Sequence, residues 1–216
     1  MVKITENLES IAERIRQRFA EKDEAREKAL GLSRDTIRYS SAAIRALHRQ
    51  EFDEAREMLR SARTSVDEMD KALSNLSDLR HGGFVHDAQK EYAEGSLTLA
   101  LVRGETLPTP ESLGVNHPAY LNGIGEAVGE LRRYLLDGIR RDDLSRSEEI
   151  LAAMDDIYGI LVTMDFPDAL TYGLRRTTDV VRGILEKTRG DLTLAFEQRG
   201  LQKRMEQLEK RLDSKT

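Results

Sequence analysis

Residues 87–101 read DAQKEYAEGSLTLAL, a run without proline whose apolar and small residues return at helical spacing. Glu91 and Glu94 stand three residues apart in it. Side chains at i and i+3 share one helical face, about 5–6 Å apart at Cβ. The rest of that face, Phe84, Ala88, Gly95, Leu97, Thr98 and Leu101, is small or apolar. Two carboxylates on such a face carry a desolvation cost unless a cation meets them. A divalent metal is the expected cation, and a second acidic pair, Glu126 and Glu130, is expected to complete its site.

Working outward, the chain reads as helix almost throughout. The first helix is expected over 5–48, with a stripe at Ile4, Leu8, Ile11, Ile15 and Phe19 that thins across 22–28 and resumes at Ala29. At 1.5 Å per residue it would span roughly 65 Å, against about 34 Å across a compact domain of this length. The second is expected over 51–79 and stops at Arg80-His81-Gly82-Gly83. The third covers 84–103 and holds the first acidic pair. Residues 104–118, with Pro108, Pro110, Gly114 and Pro118, read as a loop. The fourth helix, 118–140, contains Gly123, Gly125 and Gly129; each costs about 1 kcal/mol relative to Ala, which implies close approach of a backbone or ligand. The fifth covers 147–163. The sixth starts at Asp165-Phe166-Pro167-Asp168 with an acidic cap and runs to 198. Leu174, Thr178, Val181, Leu185, Thr188, Leu192 and Ala195 form a heptad along it. Gly200 is expected to interrupt before a short charged tail helix, 201–212.

The fold class expected is therefore all-α: one elongated bundle of six to seven helices over 1–216. The long first helix and the heptad leave more apolar stripe than a chain of this length needs to bury, so a stable oligomer is expected. Charged residues make up 34% of the chain, above the usual level of about 25%. There is no Cys, which excludes disulfides and thiolate metal sites. The charged beginning of the chain lacks an apolar leader, and no apolar run approaches the roughly 20 residues needed to span a bilayer. A soluble, cytoplasmic protein without membrane partners is expected. The net charge of −5 argues against a generally basic nucleic-acid coat, so any such contact must be local.

An Glu-x-x-Glu pair alone says little. Glu54/Glu57 and Glu206/Glu209 have the same spacing and read as solvated faces. What sets Glu91/Glu94 apart is its apolar surround and the second pair in the glycine-rich helix. Four carboxylates suit one or two Mg²⁺ or Mn²⁺ ions, which take oxygen ligands. Such an ion can activate water and stabilise a leaving oxygen. Lys90 and Arg103 flank the first pair, and Arg132 and Arg133 follow the second; they read as phosphate contacts or as ordinary surface charge. Arg34, Arg38, Arg45 and Arg49 form either a basic strip facing RNA or a solvated face. His48, His81, His86 and His117 are scattered and expected at turns and caps. No P-loop is present.

At three stretches the chain resembles the translin/Trax family, its Trax branch in particular: LSRDTIRYSSAAIRALHR at 32–49, KEYAEG at 90–95 and YLNGIGEAVGELRRY at 120–134. The resemblance covers nearly the whole chain. It implies a helical subunit of a closed, hollow homo-oligomer, most simply an octamer, that encloses RNA, with single-stranded DNA a further ligand. It also implies a metal-dependent endoribonuclease site for single-stranded RNA at Glu91, Glu94, Glu126 and Glu130, with Mg²⁺ or Mn²⁺ as cofactor. Glu126 departs from the branch's pattern, which has Asp there. Two other classes stay open: a non-catalytic RNA-binding shell of translin type and a structural coiled-coil scaffold.

Overall fold

The structure is a computed structural model that describes residues 5–213, so Ile4 lies outside the described residues. Among them all regular structure is helical: α1 Leu8–His48, α2 Phe52–Ala72, α3 Ser77–Arg80, α4 Gly83–Arg103, α5 Pro110–Leu113, α6 His117–Arg140, α7 Ser147–Val162, α8 Asp168–Thr171 and α9 Leu174–Asp213. Three of these, α3, α5 and α8, have 4 residues each. The remaining six are the six helices the periodicity predicts. None is long and apolar enough to cross a membrane.

The boundaries differ from expectation in four places, each for a local reason. The second expected helix divides, because Ser74 and Asn75 favour turn conformations over helix and the Leu76 amide donates to the Leu73 carbonyl at 2.9 Å. The proline-rich loop contains α5, capped by Thr109, whose side chain accepts from the Ser112 amide at 3.2 Å. Around 165–168 there is no acidic cap: Pro167 occupies the cap position of α8, and Tyr172 and Gly173, at φ 53° and 80°, end that turn before α9 begins. Finally, α9 runs through Gly200 without a break; one glycine costs about 1 kcal/mol, and the unbroken ladder on both sides tolerates it.

The contacts fall into two compact units: Met1–Ser96 with Pro108–Tyr120, and Leu97–Leu107 with Leu121–Thr216. In the first, α1 packs along α2. Ala29, Met69, Leu73, Val85 and Ala88 form a core with Leu32, Ile37, Leu79 and Phe84 against it. Ser33 Oγ ties α1 to α4 by donating to the Phe84 carbonyl at 3.0 Å.

In the second unit, α9 packs on α7. The heptad seam is covered there: Leu174, Val181, Leu185, Thr188 and Leu192 are buried, as are Ile150, Met154, Ile157 and Leu161 of α7. The seam expected to supply apolar surface for assembly is thus occupied within the chain. Bare apolar side chains lie elsewhere: Leu8, Ile15 and Phe19 on α1, Ile160, Val162, Phe166 and Leu170 near α8, and a row along the end of α9.

Candidate metal centre

Glu91 and Glu94 project from the middle of α4. From Val85 to Ala100 most of this helix is buried, which suits a helix apolar on nearly every side. Glu94 is buried at 9% exposure and Glu91 is half-buried. Gly95, next to Glu94, lets α4 lie close to α1 and α2. A Cβ there would stand 3.1 Å from Leu59 Cδ2 and 3.7 Å from the Ser40 carbonyl oxygen. One turn earlier, Gln89 Oε1 accepts from the Asn116 amide at 3.1 Å and from Asn116 Nδ2 at 2.7 Å. Asn116 Oδ1 in turn accepts from the Ala119 amide at 2.8 Å and caps α6. Tyr92, between the two glutamates, is buried, and that burial raises its phenol above the ordinary value, so it stays protonated at neutral pH.

Glu126 and Glu130 lie one turn apart on α6, both half-buried. The glycine beside Glu126 is tightly enclosed: a Cβ on Gly125 would stand 2.4 Å from Thr177 Cγ2. The close approach expected of the glycine-rich helix is therefore real at this position, and α9 is the element that approaches. A buried polar clamp holds the contact. Thr177 Oγ1 donates to Asn122 Oδ1 at 2.7 Å, and Asn122 Nδ2 donates to the Thr171 carbonyl at 2.9 Å.

Three of the four expected carboxylates form a group that could hold a metal ion. Glu91, Glu94 and Glu126 each offer one oxygen, and these oxygens lie within 4.8 Å of one another. Glu130 is not part of the group. The donor set fits a hard divalent cation. Oxygens bound at about 2.1 Å in an octahedron stand roughly 3 Å apart when adjacent and 4.2 Å when opposite, inside the observed spread. Among the described residues no sulfur or imidazole donor joins the group, and an all-oxygen set suits a hard ion.

The expected phosphate contacts differ in their surroundings. Arg34, Arg38, Arg45 and Arg133 are exposed. Arg38 pairs with Asp35 at 2.9 Å and lies 4.3 Å from the centre of the Tyr39 ring. Lys90 is half-buried with Nζ 3.7 Å from Glu91 Oε1. Arg132 is engaged by α9, through Thr188 Oγ1 at 3.1 Å and Asp191 at 2.7 Å. Three histidines sit at helix ends, as expected: His48 closes α1, His81 caps α3 and His117 opens α6. His86 is instead buried in the first turn of α4. Gln89, Asn122 and Thr177, which hold the carboxylate-bearing helices in place, went unremarked in the sequence. The available hint was Asn122 itself, an asparagine inside a helix beside Gly123 and otherwise disfavoured there.

No family model matches the chain. An uncharacterized protein of Methanocaldococcus jannaschii is 32% identical over 178 residues, covering 81% of this chain and 78% of that protein. AfC3PO matches with a TM-score of 0.81 at 32% identity, over 87% of this chain and 98% of its own. The complex of AfC3PO with duplex RNA matches with a TM-score of 0.80, again at 32% identity, over 87% of this chain and 97% of that one. Apo-NeC3PO, at 19% identity and a TM-score of 0.72 over 89% of this chain and 99% of that one, shares the fold. The protein has the all-α fold of the translin type. The chain belongs to the translin/Trax family.

Proposed function

We propose that this chain is the subunit of a hollow homo-oligomer that binds RNA and cleaves it internally, using Mg²⁺ or Mn²⁺ held by Glu91, Glu94 and Glu126. The observation that carries the reading is the carboxylate group, whose oxygens lie within 4.8 Å of one another around a largely buried Glu94. The family supports RNA as the ligand, because AfC3PO, similar over nearly all its length, forms a complex with duplex RNA. When bound, the metal supplies positive charge that acidifies water and stabilises the departing oxygen.

The protein's own groups do the rest. Glu94, largely withdrawn from water, gains most from a cation and anchors the set. Glu130, one turn from Glu126 and outside the group, accepts the proton from the attacking water at a carboxylate oxygen. Arg34, Arg38, Arg45, Arg133 and Lys90 contact phosphates, while Arg132 keeps its role in holding α6 to α9. Bare apolar rows on α1 and near α8 are covered by neighbouring subunits in a closed assembly, of eight in the family-based reading.

The test is cleavage of end-labelled single-stranded and duplex RNA with Mg²⁺, with Mn²⁺ and with EDTA. Internal products that need metal, and a loss of about 10²–10⁴-fold in Glu126→Ala with RNA binding retained, are expected. Cleavage by Glu126→Ala at the parent rate overturns the site. Binding without any cleavage makes the chain a translin-like RNA shell.

A further inference from the structure

Helix α4 is apolar on most sides, yet one row along it is polar. Gln89, Tyr92 and Ser96 stand at i, i+3 and i+7 and share a face. Gln89 and Tyr92 are buried. At 3.6 residues per turn, Glu91 and Glu94 project from the opposite side of the helix, roughly half a turn away. Buried polar groups need partners, and the row has them. Gln89 is held by Asn116. The Tyr92 phenol meets Ser96 and the guanidinium of Arg63 on α2. Arg63 is itself held on two sides: Nε donates to the Asp67 carboxylate at 2.9 Å, and Nη1 donates to the Ser112 carbonyl at 2.6 Å. Gly114 lies against the guanidinium, so that an added Cβ would stand 3.0 Å from Nη2. One side chain thus joins α2, the back of α4 and the end of α5.

We propose that Arg63 is a positioning residue for the metal centre: through Tyr92, on the far face of α4, it fixes the roll of the helix that carries Glu91 and Glu94. The inference rests on the metal reading given above. Side-chain ends lie about 5–6 Å from a helix axis, so a roll of about 10° carries a carboxylate oxygen about 1 Å. Metal–oxygen distances tolerate about 0.2 Å. Apolar packing is non-directional and leaves such small rolls open. Hydrogen bonds are directional, so the polar row sets the angle. The planar guanidinium reaches Tyr92, Asp67 and Ser112 at once, which a lysine ammonium on its single stem does not reproduce.

The test is titration of the full-length chain with Mn²⁺ alone, without RNA, with the free ion read by electron paramagnetic resonance. Arg63→Met and Tyr92→Phe are each expected to weaken Mn²⁺ binding by about tenfold, within the range of roughly 10–100-fold for outer-shell partners. The double variant should match Arg63→Met, because both changes cut the same link. Arg63→Lys should stay weak. Ile150→Val, which trims the core of α7, should lower the urea midpoint and leave Mn²⁺ binding at the parent value. Parent affinity in Tyr92→Phe overturns the proposal, as do losses that add in the double variant. So does an equal loss in Ile150→Val, which would make the effect one of general destabilisation. A parent chain that takes up no Mn²⁺ overturns the metal reading itself, whereas a parent that binds beside variants that bind equally well overturns the role of Arg63 alone.

Discussion

Glu54 and Glu57 on α2 repeat the spacing of Glu91 and Glu94 on α4, yet the two pairs live in different surroundings. Glu54 and Glu57 are exposed, and Glu54 pairs with Arg49 at 3.2 Å with about half its side chain in water. Glu94 is 9% exposed, and the residues on both sides of it, Ala93 and Gly95, are buried. Helix α2 has one face on α1 and one in solvent, so its acids can turn to water. Helix α4 is covered nearly all round, so its acids must find a cation or a donor. Spacing puts carboxylates on one face; the neighbours of that face decide whether they can work.

The largest expected effect breaks the comparison directly. Glu94→Gln removes a charge and keeps the shape, and it should lower metal-dependent RNA cleavage by about 10²–10⁴-fold. Glu54→Gln should leave the rate unchanged. Single-turnover cleavage at saturating Mg²⁺ measures both, and equal losses would show that the two pairs do not differ in function.

A smaller effect sharpens the same lesson with glycine. At Gly125 an added Cβ meets Thr177 Cγ2 at 2.4 Å, and Thr177 cannot turn aside without giving up its hydrogen bond to Asn122. Gly125→Ala should destabilise the fold by about 1–3 kcal/mol. Gly159 on α7 has nothing within 4 Å of such a Cβ. Gly159→Ala should stabilise by about 0.5–1 kcal/mol through helix propensity. Urea midpoints of the two variants should move in opposite directions.

The smallest expected effect concerns an exposed pair like that of Glu54. The Lys22 ammonium, 2.7 Å from Asp78, holds that carboxyl below its ordinary value of 3.8. A depressed carboxylate pKa contributes stability above the unfolded value and loses it as pH falls through the folded one. Asp78→Asn should therefore differ slightly from the parent at neutral pH and match it in strong acid, in urea melts at the two pH values. A difference that grows on acidification would reverse the sign of this contact.

The six long helices were legible in the sequence because hydrophobic period and the absence of proline before Leu107 are local properties. Of the four carboxylates expected together, Glu91, Glu94 and Glu126 form one group and Glu130 lies outside it. The break between α2 and α3, the start of α9 at Leu174 and its continuation through Gly200 were not legible, because each turns on a balance of about 1 kcal/mol between turn and helix. The two heptads of α9 make the limit plain. The sequence alone set the spacing of Leu174–Leu192 and of Leu194–Leu212 equally well. Only the tertiary structure decided that α7 covers the first row and leaves the second bare. Periodicity is written residue by residue along the chain; burial depends on which other helix arrives against that face.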